Sequence, residues 1–434
     1  MILHTDDQTI EDLRIFGKRD SKGIYDLYNH TRTRGGEAIL KEMFLKPLSD
    51  REQINRRSNI IEHFAKNKVS FPFNASLFDM AEKYLANADA QTRNATRNAV
   101  LSEKDVNNGV SSVIELVQQV RAFIDSAAVR SIAAYEEERK EIDALLSDPA
   151  FDPVHAEKNK GKLSYAAVTA YDLLFRTRER SRIEKLMQHV YNLDVFISVA
   201  NVAAENQFVF PEALEEGDML LLEGVYHPGV KNAVGNSITM NATQHVIFLT
   251  GANMAGKSTF LRSLSTAVYL AHMGFPVAAK RMQFRVLDGI YTTINLPDNL
   301  GMGASHFYAE VLRVKKIAGE LHAGKSLLVI FDELFRGTNV KDAHEATVAV
   351  TGAFTERKNS LFVISSHIVE AGEDLKQYPG TGFLYLPTRM NGLTPEYTYT
   401  LERGITDDRH GMIIIRNEGI LDVLKNGHKR ALDQ

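Results

Sequence analysis

The segment His245-Val-Ile-Phe-Leu-Thr-Gly-Ala-Asn-Met-Ala-Gly-Lys-Ser-Thr-Phe260 constrains this chain more than any other. Apolar and β-branched residues from Val246 to Leu249 read as a buried strand, and Phe260, Leu261, Leu264 and Val268 fall at helical spacing. Between them stands Gly251-x4-Gly256-Lys257-Ser258, a glycine loop passing from strand into helix. The two glycines let backbone N–H groups turn toward phosphate oxygens where a Cβ would obstruct them, and the helix N-terminus adds partial positive charge. Gly251, Asn253, Met254, Ala255, Gly256, Lys257, Ser258 and Thr259 are therefore the candidate nucleotide-binding residues. Lys257 is placed to reach β- and γ-phosphates, and the Ser258 hydroxyl to join a Mg²⁺ shell.

Two further strands complete this site. Ser326-Leu-Leu-Val-Ile-Phe-Asp-Glu333 is an apolar run ending in paired carboxylates. At the carboxyl end of a strand beside the glycine loop, Asp332 is the candidate Mg²⁺ ligand and Glu333 the candidate base for the attacking water. A second run, Ser360 to Ser366, delivers His367, a candidate contact for the γ-phosphate or the water. The alternative for His367 is a structural hydrogen bond at a strand end. Gly301-Met-Gly-Ala-Ser-His-Phe-Tyr-Ala-Glu310 places Gly303 and Ser305 ahead of a helix with Phe307, Val311, Val314, Ala318 and Leu321 on one face. One nucleotide does not need two such helix ends from a single subunit, so a dimer is expected to supply the second across its interface.

The 434 residues suffice for two cores. Gly17, Gly23, Gly35, Gly36, Gly109 and Gly161 are the only six of 28 glycines up to residue 205, which predicts helices first and a turn-rich sheet afterwards. The expected division is 1–205 and 206–434. A net charge of −4 leaves no global basic field, so any nucleic-acid contact depends on local patches. Cysteine is absent, which excludes disulfides and thiolate metal sites and fits a reducing compartment. The polar, acidic N-terminus has no secretory pattern and no apolar run is long enough to span a membrane, so the reading is a soluble cytoplasmic protein.

In the helical half, Thr31-Arg-Thr-Arg34 reads as a helix cap and Ser49-Asp-Arg-Glu52 as a capping box. An amphipathic pattern runs from about Asn108 to Leu146, and a second from about Ser164 to Ala203. At 1.5 Å per residue each predicts a helix of roughly 60 Å, and the two an antiparallel lever. The turn between them carries Lys158, Lys160 and Lys162, either phosphate contacts or a solvated turn. Arg176, Arg178, Arg180 and Arg182, interleaved with Glu179 and Glu184, read as a salt-bridged helix face.

These residues resemble the MutS family, ABC-type ATPases of DNA mismatch repair. Thr250 to Thr259 is similar to the family's glycine loop, with Asn-Met before its second glycine. Asp332-Glu-Leu-Phe-Arg-Gly-Thr338 with Asp342 resembles its Asp-Glu-x-x-Arg-Gly-Thr segment, and Ser305-His-Phe307 with Glu310 the signature offered in trans to a partner's ATP. Ser366-His367 stands where Thr-His is usual, and Tyr226-His-Pro228, Thr9-Ile-Glu-Asp-Leu13 and Pro47-Leu48 match the family's edges. Ala252 and Phe335 depart from a usual proline and glycine.

The resemblance implies an α + α/β protein, with an all-helical core and lever domain followed by an ABC-type P-loop ATPase domain on a mixed sheet. It implies ATP and Mg²⁺, a homodimer joined through the ATPase domains, double-stranded or branched DNA, and repair proteins as further partners. The chain opens where the family's core domain opens, and 148–163 is short for a clamp domain. A short member without the mismatch-reading and connector domains is therefore expected. The function expected is a dimeric ATPase clamp acting in mismatch repair or on branched DNA. The alternative is a nucleotide-gated factor for structured RNA or the ribosome.

Overall fold

The computed structural model describes residues 1–19, 21–86, 101–158, 163–252, 254–294, 306–391, 394–406 and 419–426. Asn253, Gly303, Ser305, Lys160 and Lys162 lie outside the described residues. Two compact units form: one takes Met1–Ile24, Pro47–Asn55 and Phe208–Gln434, the other Tyr25–Lys46 and Arg56–Gln207. Among the described residues no helix is long and apolar enough to cross a membrane.

The helices up to residue 206 are α1 (Asp7–Asp12), α2 (Ile24–Tyr28), α3 (Arg34–Leu45), α4 (Arg51–Asn67), α5 (Ala75–Ala86) and α6 (Glu103–Asp125), then α7 (Ala127–Arg130), α8 (Glu136–Leu146), α9 (Asp152–Ala156), α10 (Tyr165–Leu173) and α11 (Arg180–Asn206). In the helical unit, Thr33 caps α3 as expected, its Oγ1 accepting the Gly36 N–H at 3.0 Å. Buried Asp194 of α11 in turn accepts the Thr33 N–H at 2.8 Å and the Thr33 hydroxyl at 2.7 Å. Gly35 and Gly109 allow close approach, since a Cβ at either would fall within 2.3 Å of the Tyr191 or Tyr84 ring.

The expected pair of straight levers is not formed. Ser126 leaves the helix (φ −62°, ψ 143°), ending α6 and capping α7. α8 then returns alongside α6, with Arg121 bonded to Asp143 and donating to Ser147 Oγ at 3.0 Å. An apolar stripe is buried equally well by one long helix or by two folded together; a serine able to cap its own break decides between them here. The second pattern stays nearly continuous, with a π turn over Leu174–Arg178 between α10 and α11. Three of the four arginines are salt-bridged: Arg176 to Asp172, Arg180 to Glu184 at 2.8 Å, and Arg182 to Glu179 and to Asp148, the latter at 2.9 Å. The cap ahead of α4 is Asp50 rather than Ser49. Asp50 Oδ1 accepts the Gln53 N–H at 2.9 Å, while Ser49 Oγ donates to Leu287 O.

The other unit carries β1 (Glu212–Leu214), β2 (Leu220–Val225), β3 (Asn236–Met240), β4 (Val246–Gly251), α12 (Lys257–His272), β5 (Arg281–Arg285), β6 (Gly289–Thr293) and α13 (His306–His322). It continues with β7 (Leu327–Phe331), α14 (Val340–Phe354), β8 (Leu361–Ser365), α15 (Val369–Leu375), β9 (Thr381–Leu386), β10 (Thr388–Asn391), β11 (Thr394–Tyr397), β12 (Glu402–Arg403) and α16 (Ile420–Asn426). A six-stranded sheet runs β12-β9-β4-β8-β7-β6, parallel except at β12. A smaller sheet runs β1-β5-β2-β3. Strands β4, β7 and β8 are buried on both faces and so read as continuous apolar runs. Phe248, Val329, Phe331 and Phe362 pack with Ile317 and Phe354 on one face, Phe354 stacking on Phe362 at 4.4 Å.

The division at 205 and 206 does not describe the N-terminus, whose first 24 residues pack with the sheet unit. Thr9 Oγ1 accepts the Thr292 N–H at 3.1 Å, and Asp12 Oδ2 accepts both Thr292 Oγ1 and the Ile294 N–H at 2.8 Å. These groups satisfy the edge of β6, whose buried N–H groups need partners.

Candidate nucleotide-binding site

The glycine loop joins β4 to α12 as the sequence predicts. Gly251 (φ 146°) and Gly256 (φ 100°) take backbone conformations that side chains resist. A Cβ on Gly256 would also come within 3.1 Å of the Tyr399 ring. Ala255 is buried, whereas Met254, at φ 71°, turns its side chain into solvent with 78% exposure. Lys257, 5% exposed, opens α12, and its Nζ donates to Gly251 O at 2.8 Å and Ala252 O at 3.2 Å. Burial lowers its pKa, while Asp332 and Glu333 oppose that shift.

The carboxylates stand at the end of β7. Asp332 accepts the Ser365 hydroxyl, and Ser365 Oγ accepts the Glu333 N–H at 3.1 Å. Glu333 sits at φ 56°, a conformation of the kind that strained functional positions adopt. Its Oε1 lies 2.7 Å from His367 Nε2, and its Oε2 3.4 Å from Arg336 Nη1. The His367 hydrogen bond, opposed by burial, holds Glu333 down at about 2, so it is a carboxylate at neutral pH. Phe335 is also left-handed (φ 63°); it is buried, its ring 5.7 Å from that of Phe307.

Lys257, Ser258, Thr259 and Glu333 line one cavity of about 770 Å³. Another part of its wall was not read as such from the sequence: Val230, Asn232, Val234 and Tyr399, with His227; Arg336 of the Asp332–Thr338 segment also lines the cavity. Asn236 assembles that wall, donating to Tyr399 O at 2.9 Å and accepting the Leu401 N–H at 2.7 Å. Only the Tyr226-His-Pro segment carried any signal of it.

Comparison with known families then decides the affiliation. MutS domain III matches residues 8–200, and MutS domain V matches residues 247–432.

The chain belongs to the MutS family.

Among relatives of this MutS-family chain, the DNA mismatch repair protein MutS of Petrotoga mobilis is 23% identical, covering 99% of this chain and 64% of its own length. That of Caldicellulosiruptor bescii is 30% identical over 60% of this chain and 31% of its own. That of Persephonella marina is 27% identical over the same shares. The chain thus spans between about a third and two thirds of the curated relatives it matches.

The structure brings Gly256, Lys257, Ser258, Thr259 and Glu333 to one cavity and sets His367 on Glu333. α13 begins at His306, directly after the expected signature residues Gly303 and Ser305, which are outside the described residues. Lys158 is exposed beyond α9, in the other unit, where Gln118 Nε2 holds the carbonyls of Val154 and Glu157 at 2.7 and 2.9 Å.

Proposed function

We propose that this chain binds and hydrolyses ATP and couples the nucleotide to DNA binding, as a homodimer joined through its nucleotide-binding units, in mismatch repair or on branched DNA. One observation carries the reading: the adjacent Lys257 and Ser258 line the same cavity as Glu333, which is distant in sequence. The cradle fits a polyphosphate, because among the described residues the buried Lys257 ammonium donates to loop carbonyls alone, which phosphate oxygens outcompete. Ser258 and Asp332 would hold Mg²⁺, which supplies charge neutralisation on the β- and γ-oxygens. Glu333, ionised and steered by His367, accepts a proton from the attacking water. The DNA-bound function rests on the family and on the relatives' names, and Lys158, Lys160 and Lys162 are its candidate phosphate contacts.

Equilibrium ATP binding and phosphate release by the purified chain test this reading. Binding in the micromolar range with slow turnover is expected; a chain that binds no ATP with Mg²⁺ present overturns it.

A further inference from the structure

The first turn of α13 lies against the loop that carries Glu333. A Cβ on Gly337 would come within 2.6 Å of Phe307 N and 3.1 Å of His306 Cβ. Glu310, one turn further along α13, is 4% exposed and faces the Gly337 N–H. Its Oε2, with no hydrogen-bond partner among the described residues, lies 3.6 Å from His306 Nδ1. His306 Nε2 in turn lies 3.5 Å from Arg336 Nη2, and Arg336 reaches Glu333 through its other amino group.

A carboxylate buried this deeply is costly, and helix packing alone gives no reason for it. Here it faces the backbone N–H of Gly337, four residues after Glu333, and the imidazole that abuts Arg336. We propose that Glu310 is a positioning residue for hydrolysis: through Gly337 N–H, and through His306 and Arg336, it sets where the 333–337 loop holds the Glu333 carboxylate. The proposal rests on the reading that Glu333 acts on ATP. Among the described residues Glu310 does not line the cavity, so its removal displaces Glu333 without removing a contact to nucleotide bound in this chain's own cavity. Loss of position therefore falls on kcat and spares KM.

The test compares Glu310→Ala, Glu310→Gln and His306→Asn in the full chain. The readouts are kcat and KM for ATP and backbone hydrogen exchange across 332–338. Glu310→Ala is expected to lower kcat by about 10- to 100-fold, the cost of a misplacement near 1 Å, with KM within about twofold. Glu310→Gln keeps an acceptor for the Gly337 N–H and is expected to recover to within about threefold of wild type. Exchange at Gly337 should quicken in the Ala variant alone. Wild-type kcat in Glu310→Ala, or a KM that rises in step with the lost rate, overturns the proposal. If wild type hydrolyses no ATP, the ATPase reading fails instead, and unchanged exchange in Glu310→Ala then overturns the tether separately. Should the Ala variant not fold, His306→Asn breaks only the Arg336 branch; a kcat equal to wild type there overturns the proposal.

Discussion

His367 Nε2 lies 2.7 Å from Glu333 Oε1, joining the ends of two strands that are neighbours in the sheet. A histidine in that place both fixes the carboxylate's direction and keeps it ionised. Glu333→Gln is expected to retain ATP binding and to slow hydrolysis by about 10²- to 10⁴-fold. Single-turnover phosphate release beside a binding titration measures both. A Gln variant turning over at the wild-type rate removes Glu333 from the chemistry.

Lys257→Ala acts on a different quantity. It deletes a charged donor aimed at the loop, worth about 1.5–3 kcal/mol, so ATP affinity should fall roughly 10- to 150-fold. Calorimetric titration with a non-hydrolysable analogue reads this directly. Equal affinity in the two proteins would leave the buried lysine without a nucleotide role.

His272, at the end of α12, makes a stability prediction. Its Nδ1–H donates to Val268 O at 2.8 Å, and its Nε2 accepts the Leu287 N–H at 3.0 Å, so the ring is neutral in the fold. Burial pushes it from 6.5 down to about 4. The unfolded chain therefore binds the proton more readily. The stabilisation from neutral His272 is complete above pH 6.5 and drains away as pH falls through 4. Denaturant midpoints of wild type should drop across that window more steeply than those of His272→Gln; parallel curves would count against it.

Nucleic-acid binding has its own signature. Affinity for DNA should fall steeply with salt, and replacing Lys158, Lys160 and Lys162 by Ala should shallow the slope by up to ~3 units. Duplexes with and without a mismatch should bind alike within about threefold, because contacts from these lysines would meet phosphates and not base edges. Fluorescence titrations at several salt concentrations decide this. An unchanged slope dismisses the lysines, and a preference for ribosomal RNA over every DNA replaces the DNA reading.

By itself the sequence determined the local pieces whose physics is local. Gly251 and Gly256 dictate a backbone no other residues take readily, and the apolar runs before Gly251, Asp332 and His367 must be strands buried on both faces. Loop, carboxylates and histidine each follow the carboxyl end of such a strand, and the parallel pairing of β4, β8 and β7 sets those ends side by side. Only tertiary structure decided the rest. The stripe from Val110 to Leu146 is compatible with one helix or two, and Ser126 settles it by turning α8 back onto Arg121. Asp12 carries no mark showing that its partners stand about 280 residues away on β6. Likewise Asn236 and Tyr399 become a cavity wall, and His306 a neighbour of Arg336, through contacts between distant segments. Periodicity and motif spacing encode what a residue does to its own neighbourhood in the chain; they are silent about which buried donor it will meet across the fold.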